Sequence, residues 1–173
     1  MERWRRVIVQ NDICSMLPSG NAPDGVAHGM PSPGSERLLH SDVTNEIINA
    51  MYSVHDSLGF GFLESVYAHA LMVDLRSRGL HVERNVPFEI LYRGVPVGRY
   101  VADLIVGNKV VVETKVAKAI DAAHRAQLLN YLRASGLEVG LVLNFGTSAQ
   151  FKRVVCTSRR GPASVSGPVE KEA

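Results

Sequence analysis

A chain of 173 residues with 46% hydrophobic side chains is long enough to enclose one domain with a core of its own, at the composition of an ordinary soluble globule. Its 19 basic and 17 acidic side chains leave a formal charge of +2, too balanced to mark out a strong electrostatic binder of nucleic acid. The two cysteines, Cys14 and Cys156, stand outside any C-x-x-C pair, which argues against a disulfide framework or a zinc knuckle and for a reducing, cytoplasmic setting. No apolar run approaches the roughly 20 residues needed to cross a bilayer, so no membrane partner is expected. Val7-Ile8-Val9 is too short for the apolar region of a signal peptide.

Residues 1–37 read as a disordered leader, because Pro18, Gly20, Pro23, Gly25, Gly29, Pro31, Pro33 and Gly34 crowd a stretch with no apolar period. The tail 157–173, punctuated by Gly161, Pro162, Gly167 and Pro168, reads the same way, leaving 38–156 as the folded domain. A first helix is expected to open with Ser41 or Asp42 as N-cap. It places Val43, Ile47, Met51, Val54 and Leu58 on one face and ends at Gly59. A second helix from Leu63 to Arg78 buries Leu63, Val66, Ala70, Leu71 and Leu75 and stops at Gly79, so that the two form a hairpin around Gly59-Phe60-Gly61. The period then changes. Phe88–Tyr92, Val97–Val106 and Val110–Val116 are rich in Val, Ile, Leu and Tyr and are separated by Arg93-Gly94 and Gly107-Asn108, which predicts an antiparallel meander. A third helix from Asp121 to Ala134, closed by Gly136, precedes a buried strand over Val139–Phe145 and a short last strand over Phe151–Val155.

Within Val110–Val116 the two-residue alternation sends Val111, Glu113 and Lys115 to one face. A carboxylate and an ammonium in so apolar a strand cost several kcal/mol of lost hydration each unless they pair or hold a metal. Hairpin register decides whether Asp103 joins them. A two-residue loop sets Asp103 against Val112 on the wrong face; a three-residue loop of Gly107-Asn108-Lys109 sets it against Glu113. The three-residue loop is expected, since Asn108 tolerates the left-handed region. Two carboxylates with Cβ atoms about 5 Å apart repel unless a divalent cation lies between them. Magnesium, or manganese, suits two carboxylates, the Thr114 carbonyl and several waters. Lys115 then stands where its charge stabilises an attacking hydroxide or the charge that develops on a phosphoryl group.

Asp103 followed across a hairpin by Glu113-Thr114-Lys115 resembles the bipartite signature of the PD-(D/E)XK nuclease superfamily, with Ala102 where the naming proline would stand. A more specific resemblance lies in Gly61-Phe62-Leu63-Glu64-Ser65-Val66-Tyr67, which matches the motif of the GxxExxY protein family, a branch of that superfamily. His55 to Tyr67, Gln127-Leu128-Leu129-Asn130-Tyr131-Leu132 and Asn144-Phe145-Gly146 extend the likeness over residues 45–155. The resemblance implies an α/β fold, a three-layer α/β/α restriction-endonuclease-like domain whose central mixed sheet contains the meander. It implies a metal-dependent nuclease that hydrolyses phosphodiester bonds in nucleic acid, DNA above all, as a single chain, a homodimer or with a partner subunit. Asp103, Glu113 and Lys115 carry catalysis, with Glu64 joining or flanking the metal beside Asp103, Glu113 and Thr114. A simple helix N-terminal interaction of Glu64 is the plainer alternative. His124, Gln127 and Tyr131 fall on one stripe of the third helix, where they contact substrate or orient the site, against the alternative of a solvated helix face. Tyr67, one turn along the same face as Glu64, joins the residues expected to orient the site by packing on Glu64, or else belongs to the core. The competing expectation for the whole protein is a catalytically silent nucleic-acid or protein interaction module that keeps the nuclease fold.

Overall fold

The computed structural model describes Arg5–Ile8 and residues 39–156. Helix α1 spans Ser41–Leu58 and α2 spans Glu64–Ser77. The N-cap of α1 is His40, in the left-handed region at φ 56°, rather than Ser41 or Asp42. Those two residues are already helical, and Asp42 places its charge at the positive end of the helix. Val43, Ile47, Met51 and Val54 are buried as their spacing requires, joined by Thr44 and Ala50, while Leu58 is left at the surface. The buried face of α2 is Tyr67, Ala68, Leu71 and Leu75. Leu63 and Val66, expected in that stripe, are exposed and Ala70 is half-buried, because the face turned to the core runs through Tyr67, Leu71 and Leu75 instead.

Six strands form one sheet in the order of the chain: β1 (Arg5–Ile8), β2 (Val82–Tyr92), β3 (Val95–Val106), β4 (Val110–Lys115), β5 (Val139–Phe145) and β6 (Ala149–Val155). The pairs β2–β3, β3–β4 and β5–β6 are antiparallel, whereas β1–β2 and β4–β5 are parallel, so the sheet is mixed and contains the expected meander. The parallel β4–β5 step is bridged by helix α3 (Ala122–Ser135), since such a pair needs a crossover rather than a tight turn. β1 falls in the segment read from sequence as leader; the rest of that expectation, like the one for 157–173, lies outside the described residues.

Alternation along the strands separates two cores. Val110 and Val112 of β4, with Val139, Leu141, Leu143 and Phe145 of β5, pack under α1 and α2. Val111 and Val142 face the opposite way, against Leu128, Tyr131, Leu132 and Ala134 of α3. The result is a three-layer α/β/α domain of the restriction-endonuclease-like kind. At Gly140 the helix packs so closely that an added Cβ would lie 2.7 Å from Leu128. Among the described residues no helix is long and apolar enough to cross a membrane.

Candidate active site at the end of the sheet

The β3–β4 turn settles the register. Leu104, Ile105 and Val106 pair with Val112, Val111 and Val110, and Gly107 and Asn108 both adopt positive φ (60° and 55°), leaving three residues in the loop. That register continued by one pair sets Asp103 against Glu113. The ladder itself, however, ends at Leu104–Val112. The β2–β3 ladder also skips one pair here, Asn85 and Asp103, with Asn85 at φ 53°. Ala102 and Leu104, two residues apart, accordingly pack into different cores. β3 therefore bends at Asp103, and the carboxylate takes over the role of a strand partner. Its Oδ2 accepts hydrogen bonds from the Thr114 backbone N (2.8 Å) and the Thr114 hydroxyl (2.5 Å).

Glu113 is 2% exposed, and its Oε1 accepts a bond from Lys115 Nζ at 2.5 Å. Its Oε2 is buried with no hydrogen-bond partner. Burial, then the neighbouring charge of Asp103, pushes its carboxyl up to about 7, and the bond from Lys115 only partly opposes this. For Lys115 burial acts downward, but the bond to Glu113 and the charges of Glu113, Glu64 and Asp103 outweigh it, so the ammonium is held more firmly than usual. The strand end thus concentrates negative charge in a dry setting with one cation among it.

The second helix hairpin brings Glu64 to the same place. As the first residue of α2 it accepts a bond from the Val116 backbone N (3.3 Å), and its other oxygen lies 3.8 Å from Lys115 Nζ. Tyr67 is fully buried and stacked on Phe145 at 4.5 Å. Its hydroxyl donates to the Gly59 carbonyl (2.7 Å) and receives the Phe62 N–H (3.4 Å), so it ties the α1–α2 turn and does not face Glu113. On α3, Gln127 Nε2 donates to the Tyr131 hydroxyl at 2.7 Å. Burial foremost, and then the charges of Glu113 and Asp103 against the opposing bond from Gln127, raises the Tyr131 phenol. His124 is occupied elsewhere: its Nδ1 accepts from the Asp121 N, and Asp121 accepts from the His124 N, closing a capping box.

Sequence reasoning gave Asn144 no role. It is fully buried, paired in register with Lys115, and holds Ala117 through both edges, accepting from its N (2.8 Å) and donating to its carbonyl (2.8 Å). Gly146 adds to this clamp, since a Cβ there would lie 2.5 Å from the Ala117 carbonyl, and His55 Nε2 is 3.0 Å from the Gly146 carbonyl. A polar residue inside the apolar run of β5 was the available signal.

Whether the residues suit a divalent cation can be tested on Glu113. A buried carboxylate oxygen without a partner costs about 1–3 kcal/mol or more, and a cation between it and Asp103 would offset both that cost and their repulsion. The donor set is hard oxygen, suited to magnesium or manganese. Among the described residues no group of three or more His, Cys, Asp and Glu side chains is gathered as a cage.

Comparison with known proteins adds to this geometry. No curated protein matches the chain. A solved structure described as "Crystal structure of SSO0001" shares 18% identity at a TM-score of 0.40 and covers 65% of each chain, so the present chain spans just under two thirds of that protein's length. Residues 41–154, from the start of α1 into β6, match the PD-(D/E)XK nuclease superfamily, and the chain belongs to it.

Proposed function

We propose that this protein is a metal-dependent nuclease that hydrolyses phosphodiester bonds in DNA, and that it belongs to the GxxExxY branch of its superfamily. The observation that carries the reading is the unpartnered, buried Glu113 Oε2, next to the fixed carboxylate of Asp103 and the cation of Lys115. Asp103 and Glu113 are the residues that would hold magnesium or manganese, with the Thr114 carbonyl as a further donor. The ion, when bound, supplies Lewis acidity at the phosphoryl group and lowers the pKa of water. Thr114 holds Asp103 in place through two hydrogen bonds, so the carboxylate needs no reorganisation to act. Lys115 keeps its proton and meets the charge that develops on the phosphoryl oxygens. Glu64 holds the backbone of Val116 and the ammonium of Lys115, a positioning role, and Gln127 fixes the Tyr131 hydroxyl, in keeping with a part in orienting the site. The GxxExxY residues share one task here. Gly61 turns the chain at φ 111°, Tyr67 ties the turn, and Glu64 brings α2 to the end of β4.

The competing reading, an interaction module without catalysis, draws support from the closed Glu113–Lys115 pair, which neutralises both groups without a metal. Incubation with plasmid and branched DNA in magnesium or manganese separates the two. Cleavage that falls at least about a hundredfold in Lys115→Ala and in Glu113→Gln is expected. Cleavage that persists in Lys115→Ala, or DNA binding without cleavage by the unaltered protein, contradicts the nuclease reading. The mass of the cleavage-competent species distinguishes a lone chain from a homodimer or a partnered subunit. Cytoplasmic placement is part of this proposal and rests on cysteine usage, two cysteines without a C-x-x-C pair being what a reducing compartment favours.

A further inference from the structure

The turn between α1 and α2 is built unlike an ordinary surface loop. Phe60 is 65% exposed, Phe62 48% and Leu63 75%, three large apolar side chains within four residues. The backbone beneath them is fixed. Gly59 and Gly61 take positive φ, the Tyr67 hydroxyl bonds the Gly59 carbonyl and the Phe62 N–H, and the Tyr67 ring, stacked on Phe145, anchors the turn in the core. The Phe62 ring also stands edge-on to Tyr67, with centroids 6.2 Å apart. Rings held this way keep their outer surfaces in water at a cost that only an occupant removes.

The position of the turn indicates that occupant. Phe62 lies two residues before Glu64, whose carboxylate contacts Val116 and Lys115, so the turn leads directly into the proposed phosphodiester site. Beyond Val116, Ala117 is clamped by Asn144, and the next residue, Lys118, is an exposed cation able to meet a flanking phosphate. A polymer whose phosphate is held at Lys115 carries its bases within a few ångströms of that phosphate. In a duplex those bases are stacked on one another and closed to a side chain approaching along the backbone, whereas an unpaired base presents a free π-face.

We propose that Phe60 and Phe62 form a stacking platform for unpaired bases beside the scissile phosphate, which makes single-stranded DNA, or the single-stranded part of a branched or frayed molecule, the preferred substrate class. The inference rests on the nuclease reading for its location, but its test reads binding. Fluorescence anisotropy of the full-length chain without divalent metal compares a labelled single-stranded oligonucleotide with a duplex of equal length. Tighter binding of the single strand is expected, with a loss of roughly tenfold or more in Phe60→Ala and Phe62→Ala. Retained affinity and unchanged melting temperatures in Phe60→Tyr and Phe62→Tyr, with duplex binding unchanged throughout, complete the expected result. Equal affinity for both DNA forms, or single-strand affinity unmoved by the alanine variants, overturns the platform, and if Lys115-dependent cleavage persists the nuclease reading survives that failure. A change in the mass of the protein in Phe60→Ser without a change in DNA affinity also overturns it, by assigning the turn to protein contacts.

Discussion

The two halves of β4 obey different rules. Val110, Val111 and Val112 are fully buried and pair on both sides, with β3 and with β5, dividing their side chains between the two cores. Glu113, Thr114 and Lys115 keep their partners in β5, but the backbone ladder to β3 has stopped, and the Asp103 carboxylate bonds Thr114 in its place. The apolar half is an arrangement that burial alone stabilises. The polar half leaves a carboxylate oxygen unsatisfied and raises a pKa, features that burial opposes and that chemistry at a site explains.

Substitution in the apolar half carries the largest expected effect. Val112→Asp puts an unpaired charge into the core under α1 and α2, costs several kcal/mol and leaves the domain unfolded, as circular dichroism would show. If that variant melts normally, the division of β4 is wrong. In the polar half the metal-free protein has a pH dependence of definite sign. The folded-state value of Glu113, about 7, lies above the unbound reference of 4.5, so the folded chain binds more protons than the unfolded chain between these values. Stability from this group is present in full below pH 4.5 and is lost as pH rises through 7. Chemical denaturation across that window is expected to show a decline of a few kcal/mol in the unaltered protein, and Glu113→Gln is expected to flatten it. The smallest effect belongs to the supports. Asn144→Ala removes two bonds to Ala117, costing about 1–3 kcal/mol in denaturant titrations and lowering cleavage by loosening Lys115. Unchanged cleavage there would mean the segment after β4 is held by other contacts.

Much of this was legible in the sequence. Val and Ile marked β3 and β4, and the choice of a three-residue turn over a two-residue one gave the observed register of Val110–Val112 against β3, although the ladder ends one pair short of Asp103 and Glu113. Other features depend on contacts that local pattern does not carry. β2 begins at Val82, not Phe88, because Glu83, Arg84 and Asn85 interrupt the apolar pattern while still pairing or bending with β3. The inward turn of Tyr67 rests on a hydroxyl bond across the α1–α2 turn, and the Asn144 clamp on the parallel pairing of β5 with β4, 27 residues apart at Ala117. The bend at Asp103, which aims its carboxylate at Thr114, shows only in the broken ladders on either side.

The most direct test of the acidic pair is a manganese titration of the melting temperature in the unaltered protein, Asp103→Asn and Glu113→Gln. A rise that reaches the equivalent of about 2–3 kcal/mol at a hundredfold excess over the dissociation constant, and that disappears in both variants, is the predicted result. No rise in the unaltered protein, or the same rise in all three, would contradict a cation held between Asp103 and Glu113.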